Sequence, residues 1–192
     1  MAKKILVISG SPKKDGNTAL LVSWFSEGAR ENGAIVEIIP AANLKIKVIG
    51  CNSCRACQKS KDYKCVVNDE ASPVISKMSD ADVIVMATPL YFFSASAQLK
   101  IIFDRMFALY KWDNQVNTMQ TILKGKTFAL IASAFEEAGM EALEKPFRLT
   151  AEYSAMKFES LLIPNAGESG DIKDKSESRA KAIEFGKKLG GK

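Results

Sequence analysis

The sequence predicts an α/β domain of three layers, α/β/α, built on a doubly wound five-stranded parallel sheet of order 2-1-3-4-5. Two observations predict it. Apolar, β-branched runs of strand length alternate with helix-period segments from one end of the chain to the other. That rhythm implies parallel strands covered by helices on both faces. The first run also ends in Ser9-Gly10 and opens into a helix, which puts a ligand crevice at the carboxyl ends of the first and third strands.

The five strands are read at Lys4–Ser9, Ala34–Pro40, Val83–Thr88, Thr127–Ser133 and Phe158–Ile163. Between the first two, Thr18–Gly33 is helical, with Leu21, Trp24, Phe25 and Gly28 on one face. A shorter helix is expected over Asp69–Ser79. The clearest helix is Ser96–Lys111, where Leu99, Ile102, Phe103, Met106, Phe107 and Tyr110 recur at steps of three and four. Glu137–Met156 reads as a helix kinked at Pro146, and Lys173–Leu189 as a charged closing helix. One stretch, residues 43–68, is too long for an ordinary connection. The whole chain, residues 1–192, is expected to be one domain carrying that cysteine-rich loop.

Bulk properties narrow the function classes. At 192 residues, 47% hydrophobic and 26% charged, the chain suits a globular domain with a real core. Its net charge of +5 is mild and spread over several clusters, so it favours anionic small molecules without implying nucleic acid. The charged start runs directly into the first strand, and the longest later apolar stretch, Ala81–Phe93, carries Pro89 and is too short to cross a bilayer. A cytoplasmic protein with no membrane partner is expected. There is no histidine, which removes the commonest general base and zinc ligand. No catalytic side chain is therefore assigned, and chemistry carried by a cofactor is favoured.

The first loop, Ser9 to Thr18, offers what an anion needs. Gly10 and Gly16 let the chain curl, a helix begins just after, and Ser9, Ser11, Asn17 and Thr18 carry hydrogen-bonding side chains. It is neither a Walker A loop, because Asn17 stands where the lysine should follow the second glycine, nor a Gly-x-Gly-x-x-Gly turn. In the expected strand order the loop after the third strand, Pro89-Leu90-Tyr91-Phe92-Phe93, lies beside it and offers contacts to a flat ring. Three consecutive aromatics cannot all point inward, so at least one should face a cleft or a partner subunit.

All four cysteines fall within one short stretch: Cys51, Cys54 and Cys57 at two-residue spacings, then Cys65 after seven residues. Thiolates so spaced can converge on one centre, and four of them complete a [4Fe–4S] cluster or a zinc site. Such clustering argues for metal or redox chemistry over disulfides. Cys65 is followed by Val66 and not by the proline of bacterial ferredoxins.

Taken together, Ser-Gly-Ser-Pro at 9–12, Gly-Asn-Thr at 16–18, Asp-Ala-Asp-Val-Ile-Val at 80–85, Thr-Pro-Leu-Tyr-Phe at 88–92 and Asp104-Arg105 resemble the NADPH-dependent FMN reductase and iron-sulfur flavoprotein superfamily. The resemblance runs from Lys4 to about Ile163. It implies a flavodoxin-like fold and an FMN site: Ser9, Ser11, Pro12, Gly16, Asn17 and Thr18 around the phosphate, and Pro89, Leu90, Tyr91, Phe92 and Phe93 along the ring. Ser133, followed by Ala134 and Phe135, is implied at the ring's other edge. It also implies that Cys51, Cys54, Cys57 and Cys65 hold a [4Fe–4S] cluster, with Ser53 standing where a glycine is common.

The resulting expectation is an FMN-dependent oxidoreductase or electron-transfer flavoprotein. It would pass electrons between NAD(P)H or a ferredoxin-like donor and a small acceptor, as a homodimer or homotetramer. An FMN-only NAD(P)H:quinone or flavin reductase, and a zinc-stabilised binding module, are the alternatives.

Overall fold

The computed structural model describes residues 1–191. Five parallel strands form its centre: β1 (Lys4–Ser9), β2 (Ile35–Pro40), β3 (Val83–Tyr91), β7 (Thr127–Ser133) and β8 (Lys157–Ile163). They lie side by side as β2-β1-β3-β7-β8, which is the expected second-first-third-fourth-fifth order. A short strand, β4 (Ser94–Ala95), adds a sixth by folding back antiparallel on the end of β3.

Strand side chains alternate between two apolar cores, as a pleat covered on both faces demands. Leu6 and Ile8 of β1, Ile84 and Met86 of β3, and Phe128 and Leu130 of β7 enter one core with α3 (Ala71–Asp80), α4 (Ala97–Arg105) and α5 (Met140–Tyr153). Ile5, Val7, Val83, Val85, Ala129 and Ile131 face the other, which is closed by α1 (Asn17–Glu31) and α6 (Ser176–Gly190). Among the described residues no helix is long and apolar enough to cross a membrane.

One segment departs from the sequence expectation. The helix expected to run through Lys111 ends at Arg105; a 3-10 turn, Met106–Leu109, follows, and then β5 (Tyr110–Asp113) pairs antiparallel with β6 (Thr118–Thr121). Helical spacing persists to Tyr110, but tertiary bonds take over the backbone. The Tyr110 carbonyl accepts from Gln58 Nε2 at 2.8 Å and the Trp112 N–H donates to Gln58 Oε1 at 3.2 Å. Those bonds need extended chain, and propensity yields to them.

The cysteine-rich stretch carries a single α-helical turn, α2 (Ala56–Lys59). Its two ends are clipped together. The Glu70 carboxylate accepts from Lys45 N–H at 2.7 Å, and Asp69 Oδ2 from Lys47 N–H at 3.1 Å. Pro146 stands inside α5, which continues across it from Met140 to Tyr153.

Candidate functional site

A cleft of about 300 Å³ opens at the carboxyl ends of the central strands, within the size range of small-molecule sites. Ser11, Lys13, Gly16, Asn17 and Thr18 come from the loop after β1, and Pro89, Leu90 and Tyr91 from the end of β3. Ser133, Ala134 and Phe135 come from the end of β7. A fourth wall, Gly167, Glu168 and Ser169, follows β8. The sequence reading missed that wall; its position after the last strand, in a run of Asn, Gly and Ser, was the signal available.

The first two loops are bonded to each other. Ser96 Oγ donates to the Gly10 carbonyl at 2.7 Å and caps α4 by accepting from Leu99 N–H. A Cβ on Gly10 would stand 2.5 Å from that of Leu99, so only glycine lets the backbone of the first loop reach α4.

At the other end of the loop, Gly16 is the residue before α1 and offers no side-chain cap. The first amides of a fifteen-residue helix are thus left for a ligand. A Cβ on Gly16 would meet Lys13 Cβ at 3.2 Å and Ser169 Oγ at 3.4 Å. The missing side chain keeps the space in front of those amides clear. Lys13 and Glu168 are the charged residues on the wall.

Asn17 works differently from the expectation of a phosphate ligand. Its Nδ2 donates to the carbonyls of Ala166, Gly167 and Glu168, the last at 2.8 Å, while Oδ1 accepts from the N–H groups of Gly170 and Ile172. The side chain is spent on holding the fourth wall against the first loop. Thr18 Oγ1 and Ser133 Oγ share a buried hydrogen bond of 2.8 Å that ties the first wall to the third. Ser9 is buried in the sheet, and with Pro12 it lines a separate cleft on the far side of the loop. Phe92 and Phe93 form the tip of the β3–β4 hairpin, outside the cleft, and are 97% and 61% exposed.

The four cysteines are free thiols around one small pocket whose walls also include Gly50, Arg55 and Arg105. Cys57 is buried, Cys65 half-buried, and Cys51 and Cys54 exposed. Among the described residues no three Cys, His, Asp or Glu side chains are gathered closely enough to hold a metal ion. Arg105 is 2% exposed. Its Nη1 donates to Asp69 Oδ2 at 2.8 Å, and its Nη2 to Ser72 Oγ at 2.9 Å and to Cys65 Sγ at 3.3 Å. Burial alone would push the Asp69 carboxyl up, but bonds from Arg105 and from the Lys47 and Ser72 amides outweigh it and hold the pKa below the usual carboxylate value.

The NADPH-dependent FMN reductase family model matches residues 3–164. The chain belongs to this family. Among its relatives, an iron-sulfur flavoprotein of Methanocaldococcus jannaschii is 39% identical over 103 residues, or 53% of this chain and 51% of that one. An iron-sulfur flavoprotein of Methanosarcina thermophila is 37% identical over 106 residues, 55% and 53% of the two chains. The chain thus spans about half the length of these curated relatives. Its fold is similar to an NAD(P)H:quinone oxidoreductase from Methanothermobacter marburgensis, with TM-score 0.75, 15% identity and coverage of 98% and 100%. It is also similar to an FMN-dependent NADH-azoreductase from Bacillus anthracis, with TM-score 0.74, 14% identity and the same coverage.

The cleft of this FMN reductase family member fits a flavin mononucleotide. It has an uncapped helix terminus with an emptied Gly16 position at one end, and Pro89, Leu90, Tyr91 and Phe135 for a ring at the other. The cysteine pocket fits an iron-sulfur cluster in the identity and number of its donors. Their sulfurs are not drawn together.

Proposed function

We propose that this protein is an FMN-dependent oxidoreductase that moves electrons between NAD(P)H or a ferredoxin-like donor and a small acceptor. The observation that carries the reading is the single cleft in which an uncapped α1 terminus, the β3 end and the β7 end meet. The first amides of α1 would bind the phosphate by charge-assisted hydrogen bonds, beside Ser11, whose hydroxyl donates to the Lys13 carbonyl and so shapes the loop. Lys13 adds charge at the rim. Pro89, Leu90, Tyr91 and Phe135 hold the ring, and Asn17 and the Thr18–Ser133 pair fix the walls relative to one another. FMN supplies the chemistry, accepting a hydride or single electrons, and no side-chain acid or base is required.

In this reading Cys51, Cys54, Cys57 and Cys65 would hold a [4Fe–4S] cluster, which would supply one-electron chemistry beside the flavin. Ligand identity and a shared pocket support it. An FMN-only NAD(P)H:quinone or flavin reductase is the second reading, favoured by cysteines that are not drawn into a metal-holding group. The exposed Phe92 and Phe93 supply an apolar surface for a second copy, consistent with a homodimer or homotetramer.

Anaerobic purification, with absorption spectra and with FMN, iron, sulfide and zinc counted per chain, tests both readings. Flavin bands with a broad brown shoulder and matching iron and sulfide support the full proposal. Flavin bands without iron leave the FMN-only reductase. A colourless protein that does not bind added FMN overturns both.

A further inference from the structure

We infer that Arg105 is a positioning residue for the proposed cluster, donating a hydrogen bond to the Cys65 sulfur and fixing a positive charge beside the site so that its reduced form is favoured. The inference rests on the cluster reading above.

Arginine is almost never fully buried unless paired, and burying an ion pair costs several kcal/mol per ion in desolvation. A pair kept only for mutual neutralisation would be expected to use the two-pronged geometry of guanidinium on carboxylate. Here only Nη1 touches Asp69. Nη2 is directed to Ser72 and to the Cys65 sulfur, and Nε is a buried donor without a partner among the described residues. Arg105 also lines the pocket that the four cysteines share. The guanidinium therefore serves more than the carboxylate.

Asp69 in turn is fully occupied. Its Oδ1 accepts from the Ala71 and Ser72 amides, and its Oδ2 from Lys47 N–H and from Arg105. It is thereby fixed between the start of α3 and the loop, and Arg105 is fixed with it. A rigidly held guanidinium on the wall of a four-cysteine site has a plain electrostatic consequence. A loaded site would be anionic, and its one-electron reduction would add one more negative charge. No covalent bond changes and Arg105 keeps its proton. The N–H···S bond, from a guanidinium whose charge is partly offset by Asp69, would stabilise the more negative state and raise the reduction potential.

The test uses anaerobically purified holoprotein and the variants Arg105→Met, Arg105→Lys and Asp69→Asn. Iron and sulfide per chain are counted, and the cluster midpoint is read by spectroelectrochemical titration. Arg105→Met is expected to shift the midpoint to more negative values, and Arg105→Lys to shift it less because the charge remains. Asp69→Asn, which keeps the cation and removes its counter-charge, is expected to shift it the opposite way. It carries the test on its own if Arg105→Met does not fold. A wild-type midpoint in Arg105→Met, or in Asp69→Asn where only that variant folds, overturns the inference, as does an Asp69→Asn shift to more negative values. Absence of iron and sulfide from the wild type overturns the cluster reading itself, which is a distinguishable failure.

Discussion

Asn17 touches three carbonyls and two N–H groups of the segment from Ala166 to Ile172, so one side chain holds a wall of the cleft in place. Asn17→Ala is expected to lower stability by about 1–3 kcal/mol, since buried partners lose their bonds. It should also weaken FMN binding. Urea denaturation measures the first and titration of flavin fluorescence the second.

Tyr110 is the other telling residue. Burial pushes its phenol pKa up, partly offset by the hydrogen bond with Ser154, and the nearby Tyr153 adds to the rise. A raised folded-state pKa means the unfolded chain ionises first. Stability is then full below the ordinary tyrosine value of about 10 and is lost as pH rises through the higher folded value. Urea midpoints compared from neutral to strongly alkaline pH should fall less steeply in Tyr110→Phe than in the wild type.

Among the elements, α1 and α6 meet backbone to backbone. A Cβ on Gly28 would stand 2.1 Å from the Ile183 carbonyl oxygen, and one on Gly186 would stand 2.0 Å from that of Phe25. Gly186→Ala must push the helices apart, an overpacking expected to cost about 1–3 kcal/mol. At roughly 2–4 °C per kcal/mol for a chain of this size, calorimetry should show the loss clearly.

The β3–β4 hairpin is strained in the other sense. Phe92 and Phe93 sit at φ of 45° and 61°, the left-handed region that tight two-residue turns demand and that bulky residues avoid. Phe92→Asn is expected to raise the melting temperature by the equivalent of about 1 kcal/mol, because asparagine tolerates that region.

Element boundaries also show where sequence reasoning stopped. β1 and β7 were legible to the residue because buried parallel strands are nearly unbroken apolar runs. The end of α4 was not, since Tyr110 continues the helical period while Gln58, more than fifty positions earlier, holds it extended.

Across the whole molecule, four segments remote in sequence make one cleft only because the strand order brings β1, β3, β7 and β8 side by side. Gly16→Ala tests that assembly without disturbing the sheet. It is expected to reduce FMN affinity about tenfold, equivalent to about 1.4 kcal/mol, with a melting temperature close to that of the wild type.

The sequence by itself determined the strand order, the loop that begins the cleft and the cysteines that share a pocket, because these follow from local apolar runs, glycines and spacing. Only the tertiary structure decided which side chains face the cleft. Ser9 and Pro12 turn away, Phe92 and Phe93 stand at a hairpin tip, Asn17 serves the fourth wall, and Arg105 reaches Cys65. The reason is physical: buried donors and acceptors are satisfied by whatever partner folding delivers, and those partners lie up to 155 positions away in the chain.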